Sequence, residues 1–151
     1  MNSKKVKEAL LAQCCTYVHQ RLQRIQNTIS DIQESLTSET KSTAGDKHET
    51  GRAMLQLERE KAGKQLAEVQ KLQEVLAKIN ISSANNIRLG SLVITPQAKY
   101  FISISAGQLI VDDQLYFAIA ANSPIGKLLL GKRNGDTFLF NQKSVIIEKV
   151  C

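Results

Sequence analysis

The sequence predicts an α+β chain: an N-terminal antiparallel coiled-coil hairpin, then a small antiparallel β domain with one short helix. Two observations carry this. A heptad stripe dominates the first half. After residue 86 the apolar period changes from that of a helix to short β-branched and aromatic runs separated by turn residues.

The first element is read from Leu11, Cys15, Val18, Leu22, Ile25, Ile29, Ile32 and Leu36, which are spaced 4, 3, 4, 3, 4, 3, 4 with polar residues between them. That spacing predicts a helix packed along one narrow seam. The stripe stops in the non-periodic stretch TSETKSTAGDKH and resumes at Leu55, Ala62, Leu66, Val69, Leu72, Leu76 and Ile79. The nearest partner for each narrow stripe is the other helix, folded back antiparallel. An arm of about 25 residues reaches roughly 37 Å, which puts residues near 45–49 at its far end. An ordinary helical pair inside a bundle fits the same pattern. Residues 1–80 form the hairpin and 87–151 the second domain, divided by the polar segment NISSANN at 80–86.

In the second domain, IRLGSLVI, KYFISIS, LYFAIAA, TFLF and SVIIEKV read as strands, and SAG, VDDQ, NGD and NQK as turns. One helix interrupts them. Ser123 is a fitting N-cap, Pro124 suits the first helical position, and Gly131 ends the element.

Composition narrows the function classes. The 151 residues carry 20 Lys and Arg against 14 Asp and Glu, a formal charge of +6. The cations are spread, 13 against 10 acids in residues 1–80 and 7 against 4 in 81–151. Apart from SKKVK near the start, no basic tract gathers them, which argues against autonomous DNA or RNA binding. No apolar run approaches the roughly 18 residues of a membrane span, so no membrane association and a cytoplasmic location are expected. Cys14, Cys15 and Cys151 lack metal-ligand spacing and point to a reducing compartment. Gly126, Gly131 and Lys132 match the spacing of a phosphate-binding loop. The residues between are helical in pattern and Arg133 stands where a Ser or Thr is needed, so that reading is set aside. His19 falls on the polar side of the first helix.

Asp46 and Glu49 are three residues apart where the second helix begins, with Lys47, His48 and Arg52 around them. Two readings stand. Asp46 as N-cap and Glu49 three residues on make a capping-box pattern that favours the helix macrodipole. Alternatively the two carboxylates are hard-oxygen ligands for Mg²⁺, incomplete until a partner adds more. His48 beside them is either a third ligand or a loop histidine.

Two stretches carry a resemblance to a known family. NSPIGKLLLGKRNGDTFLF, 122–140, resembles the Ser-Pro-Ile, helix, Leu-Gly-Lys and Gly-Asp signature of the FKBP-like domain of the Gre transcript-cleavage factors, GreA and GreB. GDKHE, 45–49, resembles their Gly-Asp-x-x-Glu tip. The resemblance implies a transcription elongation factor whose coiled coil enters the secondary channel of bacterial RNA polymerase. Asp46 and Glu49 would then be the catalytic pair, helping to hold a Mg²⁺ shared with the polymerase, absent from the isolated protein, for cleavage of the backtracked RNA 3′ end. Lys47, His48 and Arg52 would meet RNA or acidic groups. Ser123, Pro124, Ile125, Gly126, Leu130 and Gly131 would contact the polymerase. The chain departs from the family after Glu49, where Thr50, Gly51, Arg52 and Ala53 replace the usual Asn-Ala-Glu-Tyr. A polymerase regulator that does not cut RNA is the alternative. An isomerase using Tyr100, Phe101, Tyr116, Phe117, Phe138 and Phe140, or a coiled-coil adaptor, belongs to a different class.

Overall fold

The computed structural model describes the backbone of residues 2–41 and 46–151, and the side chains of these residues outside 39–50. Two long helices come first, α1 (Ser3–Lys41) and α2 (Asp46–Lys78). Seven strands and one short helix follow: β1 (Leu92–Ile94), β2 (Lys99–Ser103), β3 (Gly107–Val111), β4 (Gln114–Ala120), α3 (Pro124–Leu129), β5 (Thr137–Phe140), β6 (Lys143–Ile146) and β7 (Lys149–Val150). The predicted order of a helical pair, a β domain and one short helix is observed. Among the described residues no helix is long and apolar enough to cross a membrane.

By compactness the chain forms two units, Val18–Gln73 in one and Met1–Tyr17 with Glu74–Cys151 in the other. In the helical unit Val18, Ile25, Ile32, Ala62 and Val69 are buried, and Leu22, Ile29, Leu55 and Leu66 are half-buried. These are the two predicted seams. Arg21 and Glu68 face one another at 3.8 Å, an exposed pair of small energetic weight.

Towards its start α1 departs from the predicted stripe. Cys15 is exposed and Leu11 half-buried, while Val6, Lys7, Leu10 and Cys14 are buried. The covered face follows Lys7, Leu10 and Cys14, because here the helix packs in the β-containing unit. Cys14 lies against Ser103 and Gln13 donates its Nε2 to the carbonyl of Ile110, 2.9 Å away. The helices are also longer than the stripes that announced them. Positions 37–41 and 46–52 are helical although they lack apolar periodicity. Thr37 is accommodated there by donating its hydroxyl back to the carbonyl of Gln33 at 3.0 Å.

Five strands form a sheet in the order β3-β4-β2-β1-β7, and β5 pairs with β6 in a separate two-stranded sheet. The pairing is antiparallel, as expected, except at one place: β2 and β4 run parallel, with Phe101 opposite Ala118. The chain leaves β2, forms the edge strand β3, and returns through a tight hairpin so that β4 inserts between them. Strand β3 is absent from the sequence reading, and SVIIEKV is two strands, β6 and β7, belonging to different sheets. Both two-residue hairpin turns have the positive φ pair of a type I′ turn, at Asp112–Asp113 and at Asn141–Gln142.

The central strand β2 is buried on both faces. Phe101, Ile102 and Ser103 are each 1% exposed or less. Ile102 belongs to a core with Ile87, Val93, Leu129, Phe138, Val145 and Ile147. Phe101 and Ser103 alternate to the opposite face, which the first turns of α1 cover. A strand covered on both sides reads as a continuous apolar run, as Tyr100, Phe101 and Ile102 do, while the small polar Ser103 is buried against Cys14.

Candidate functional site

The first candidate lies where the second helix starts. α2 begins at Asp46, so Asp46 and Glu49 occupy its first turn, three positions apart on the helical backbone. The side chains of Asp46, Lys47, His48 and Glu49 lie outside the described residues. Acids in a first turn meet the positive end of the helix macrodipole, and the same placement leaves two carboxylates at the end of a helical pair. Arg52, one turn further on, is exposed. His19 is exposed on α1, as its polar surroundings imply. Among the described residues no three His, Cys, Asp or Glu side chains are placed to hold a metal ion. Two carboxylates fill only part of the six-oxygen shell that Mg²⁺ demands.

The second candidate is the Ser123–Gly131 segment, whose local structure follows from its sequence. Ser123 takes an extended conformation and its Oγ accepts the backbone N–H of Gly126 at 3.1 Å, while donating to the carbonyl of Ala120 at 2.6 Å. Pro124 occupies the first turn, where its missing N–H has no cost. Gly126 is buried against the end of β4. A Cβ there would stand 2.2 Å from the carbonyl oxygen of Ala120 and 2.9 Å from that of Ala121. Leu129 enters the core with no exposed surface. The helix closes as Leu130 donates to the carbonyl of Gly126 at 3.0 Å, and Gly131, at φ +81°, donates to Ile87 at 2.9 Å.

These contacts divide the six expected polymerase-contact residues. Ser123, Gly126 and half-buried Ile125 serve mainly to build α3. Pro124, Leu130 and Gly131 are exposed, as is Lys127. The sequence reading missed further apolar surface nearby. Leu139 on β5 is 65% exposed and Ile146 on β6 is 46% exposed, while their neighbours Phe138 and Val145 are buried. The continuous apolar run FLF gave no sign of this; only the pleat of β5 sets Leu139 on the face opposite Phe138.

No protein-family model and no curated protein sequence matches the chain. Solved structures do. The GreA factor homolog 1 (Gfh1) protein of Thermus thermophilus is similar over 89% of this chain and 92% of its own, at 19% identity and a TM-score of 0.34. Another structure of the transcription factor Gfh1 aligns over 93% of this chain and 92% of its own, at 18% identity and a TM-score of 0.34. Thermus aquaticus Gfh1 aligns over 86% and 93%, at 22% identity and a TM-score of 0.33.

Proposed function

We propose that this protein is a Gre-type transcription elongation factor. It binds bacterial RNA polymerase, enters through the secondary channel, and presents Asp46 and Glu49 to the enzyme's active centre. The single observation that carries the reading is the position of the Gly-Asp-x-x-Glu motif. Its two acids stand in the first turn of α2, at the end of a pair of helices of 39 and 33 residues. Helices of that length span roughly 58 and 50 Å. A second motif on the β domain, Ser123 to Gly131, offers Pro124, Lys127, Leu130 and Gly131 as an exposed contact surface.

The reaction is hydrolysis of a phosphodiester in the backtracked RNA. A water oxygen bonds to phosphorus, the bond from phosphorus to the upstream 3′ oxygen breaks, and a new extendable 3′-hydroxyl remains. Asp46 and Glu49 orient that water by accepting its protons as hydrogen bonds, and offer oxygens to a cation site completed by the polymerase. Mg²⁺ shared with the polymerase supplies charge neutralisation at the attacked phosphate. Lys47, His48 and Arg52 provide positive charge for the RNA backbone. Such a factor acts in the cytoplasm, where the polymerase works, and needs no DNA recognition of its own.

The test is to add the protein to an arrested, backtracked elongation complex with Mg²⁺ and follow RNA length. Shortening is expected, and Asp46→Ala with Glu49→Ala should abolish it while leaving polymerase binding intact. Binding without shortening by the unaltered protein would identify a Gre-like regulator that occupies the channel without cutting. Shortening that survives the double substitution removes the acids from the reaction.

A further inference from the structure

Of the asparagines in the chain, only Asn134 is followed by a glycine. That pair is the one most open to spontaneous deamidation, because glycine has no side chain to hinder attack by its own backbone nitrogen on the asparagine amide carbon. Both residues are exposed, so water reaches them. Exposure alone predicts rapid loss of this amide.

The hydrogen bonds predict the reverse. Asn134 and Gly135 are the middle of a turn in which the Asp136 N–H donates to the carbonyl of Arg133 at 3.1 Å, and the Asp136 carboxylate accepts the N–H of Arg133 at 2.8 Å. Gly135 has a φ of +86°, as the third position of a type II turn requires. The nucleophile would be the Gly135 nitrogen, and its N–H is donated to the carbonyl of Ile147 at 2.7 Å. The target would be the Asn134 side chain, and its Oδ1 accepts the N–H of Val150 at 2.6 Å. The Ile147 N–H returns to the carbonyl of Asp136 at 2.8 Å. Val150 is free to do this because β7 is an edge strand whose bonds to β1 are made by its neighbours. Leu92 and Cys151 exchange both of theirs, at 3.2 and 2.8 Å, which turns the Val150 N–H away from β1.

We propose that Asn134 is a deamidation site gated by β7: the folded turn holds both reacting groups apart from one another, and detachment of Ile147 and Val150 releases them. Once released, the Gly135 nitrogen loses its proton to water and bonds to the Asn134 side-chain carbon. The bond from that carbon to the amide nitrogen breaks, and the nitrogen leaves as ammonia. Water then opens the cyclic imide at one of its two C–N bonds and leaves aspartate or isoaspartate. Water enters and ammonia departs, with no oxidant or reductant. Aspartate keeps an oxygen for the Val150 N–H. Isoaspartate lengthens the backbone inside the turn, so the bonds to Ile147 and Val150 cannot both be remade. Residue 134 thus keeps a covalent record of openings of the β7 edge. The site is separate from the acids of α2 and does not rest on the proposed polymerase role.

The full chain is held in native buffer at mildly alkaline pH and, separately, in urea above its unfolding transition. Aspartate and isoaspartate at position 134 are followed by peptide mapping. Reaction confined to an open state populated less than about one part in ten makes the folded chain at least about ten-fold slower. Equal rates in the two conditions overturn the proposal. Val150→Pro removes the N–H that holds Asn134 and spares the β1 ladder, since that N–H points outward from an edge strand. It should deamidate several-fold faster than the parent in native buffer, and an unchanged rate overturns the gate. Hydrogen exchange of the Gly135 amide in the parent provides a second readout that needs no variant. Exchange should be slow without urea, and should quicken together with deamidation as urea is raised below the transition. Deamidation that keeps its urea-free rate while the Gly135 amide opens overturns the proposal even if the variant does not fold.

Discussion

The thiol of Cys14 lies 3.6 Å from the hydroxyl of Ser103, and both groups are buried although 89 positions separate them. This contact joins the first helix to the central strand of the five-stranded sheet. Burial pushes the Cys14 thiol above its ordinary range, the Ser103 hydrogen bond pulls it part of the way back, and charge on Cys15 pushes it up again. A folded-state value above the unfolded one means that the folded chain keeps its proton longer. The corresponding stability is fully present below the unfolded pKa, about 8.5, and is lost as pH rises through the raised folded value. The stability advantage of the parent over Cys14→Ala should therefore shrink between pH 8 and 10.5, as measured by urea unfolding at each pH. With a thiol reagent in native buffer, Cys15 should react first, because Cys14 and Cys151 are buried.

Gly126 is fixed by distance rather than by backbone angle. Gly126→Ala would push a methyl into the Ala120 carbonyl at 2.2 Å, and backbone cannot give way there cheaply. We expect a loss of about 2–3 kcal/mol. Ser123→Ala removes the N-cap bond to Gly126 and should cost about 1 kcal/mol. Chemical denaturation of the two variants tests the ordering, which reverses if α3 is held mainly by its cap.

Asp46→Ala with Glu49→Ala should change stability little. The acids lose only their favourable position at the helix N-terminus, about 0.3–1 kcal/mol each. Unfolding curves close to the parent, together with loss of RNA shortening, would separate a functional role from a structural one. A loss well above 2 kcal/mol would show that the pair mainly caps α2.

Leu139 and Leu130 stand in solvent at 65% and 40% exposure. Replacing Leu139 with Lys or Leu130 with Glu should shift stability by no more than about 0.5 kcal/mol. If Leu130 belongs to the polymerase contact, Leu130→Glu should weaken polymerase binding in a pull-down titration, whereas Leu139→Lys reports whether the contact extends across β5 and β6.

Lys7 gives a pH dependence of opposite sign to that of Cys14. Its folded-state value is lowered, so the unfolded chain binds the proton more tightly and stability rises as pH climbs from the folded value towards the ordinary lysine range. Lys7→Met should be at least as stable as the parent at pH 7, since an apolar residue replaces a buried ammonium without a hydrogen-bond partner among the described residues. The parent should gain on the variant as pH approaches 10. Unfolding midpoints across this range check the slope.

Much of the architecture was legible because it rests on local rules. The seams from Val18 to Leu36 and from Leu55 to Ile79 follow from apolar spacing alone, as do the cap at Ser123, the stop at Gly131 and the change of period after residue 86. The two acids at 46 and 49 were legible as a motif, and the start of α2 at Asp46 gives them a shared turn. Other features depended on what a residue packs against, which no periodicity states. Lys7 sits seven positions before Cys14 and eleven before Val18, on the covered face, yet its charge hides that register in the sequence. Strand β3 was missed because its exposure pattern at the sheet edge leaves Ile110 in solvent. The parallel pairing of β2 with β4, and the division of SVIIEKV between two sheets, required knowledge of which strand lies beside which. Residues far apart in sequence decide those neighbours through shared burial, and that is settled only when the core closes around Phe101 and Ile102.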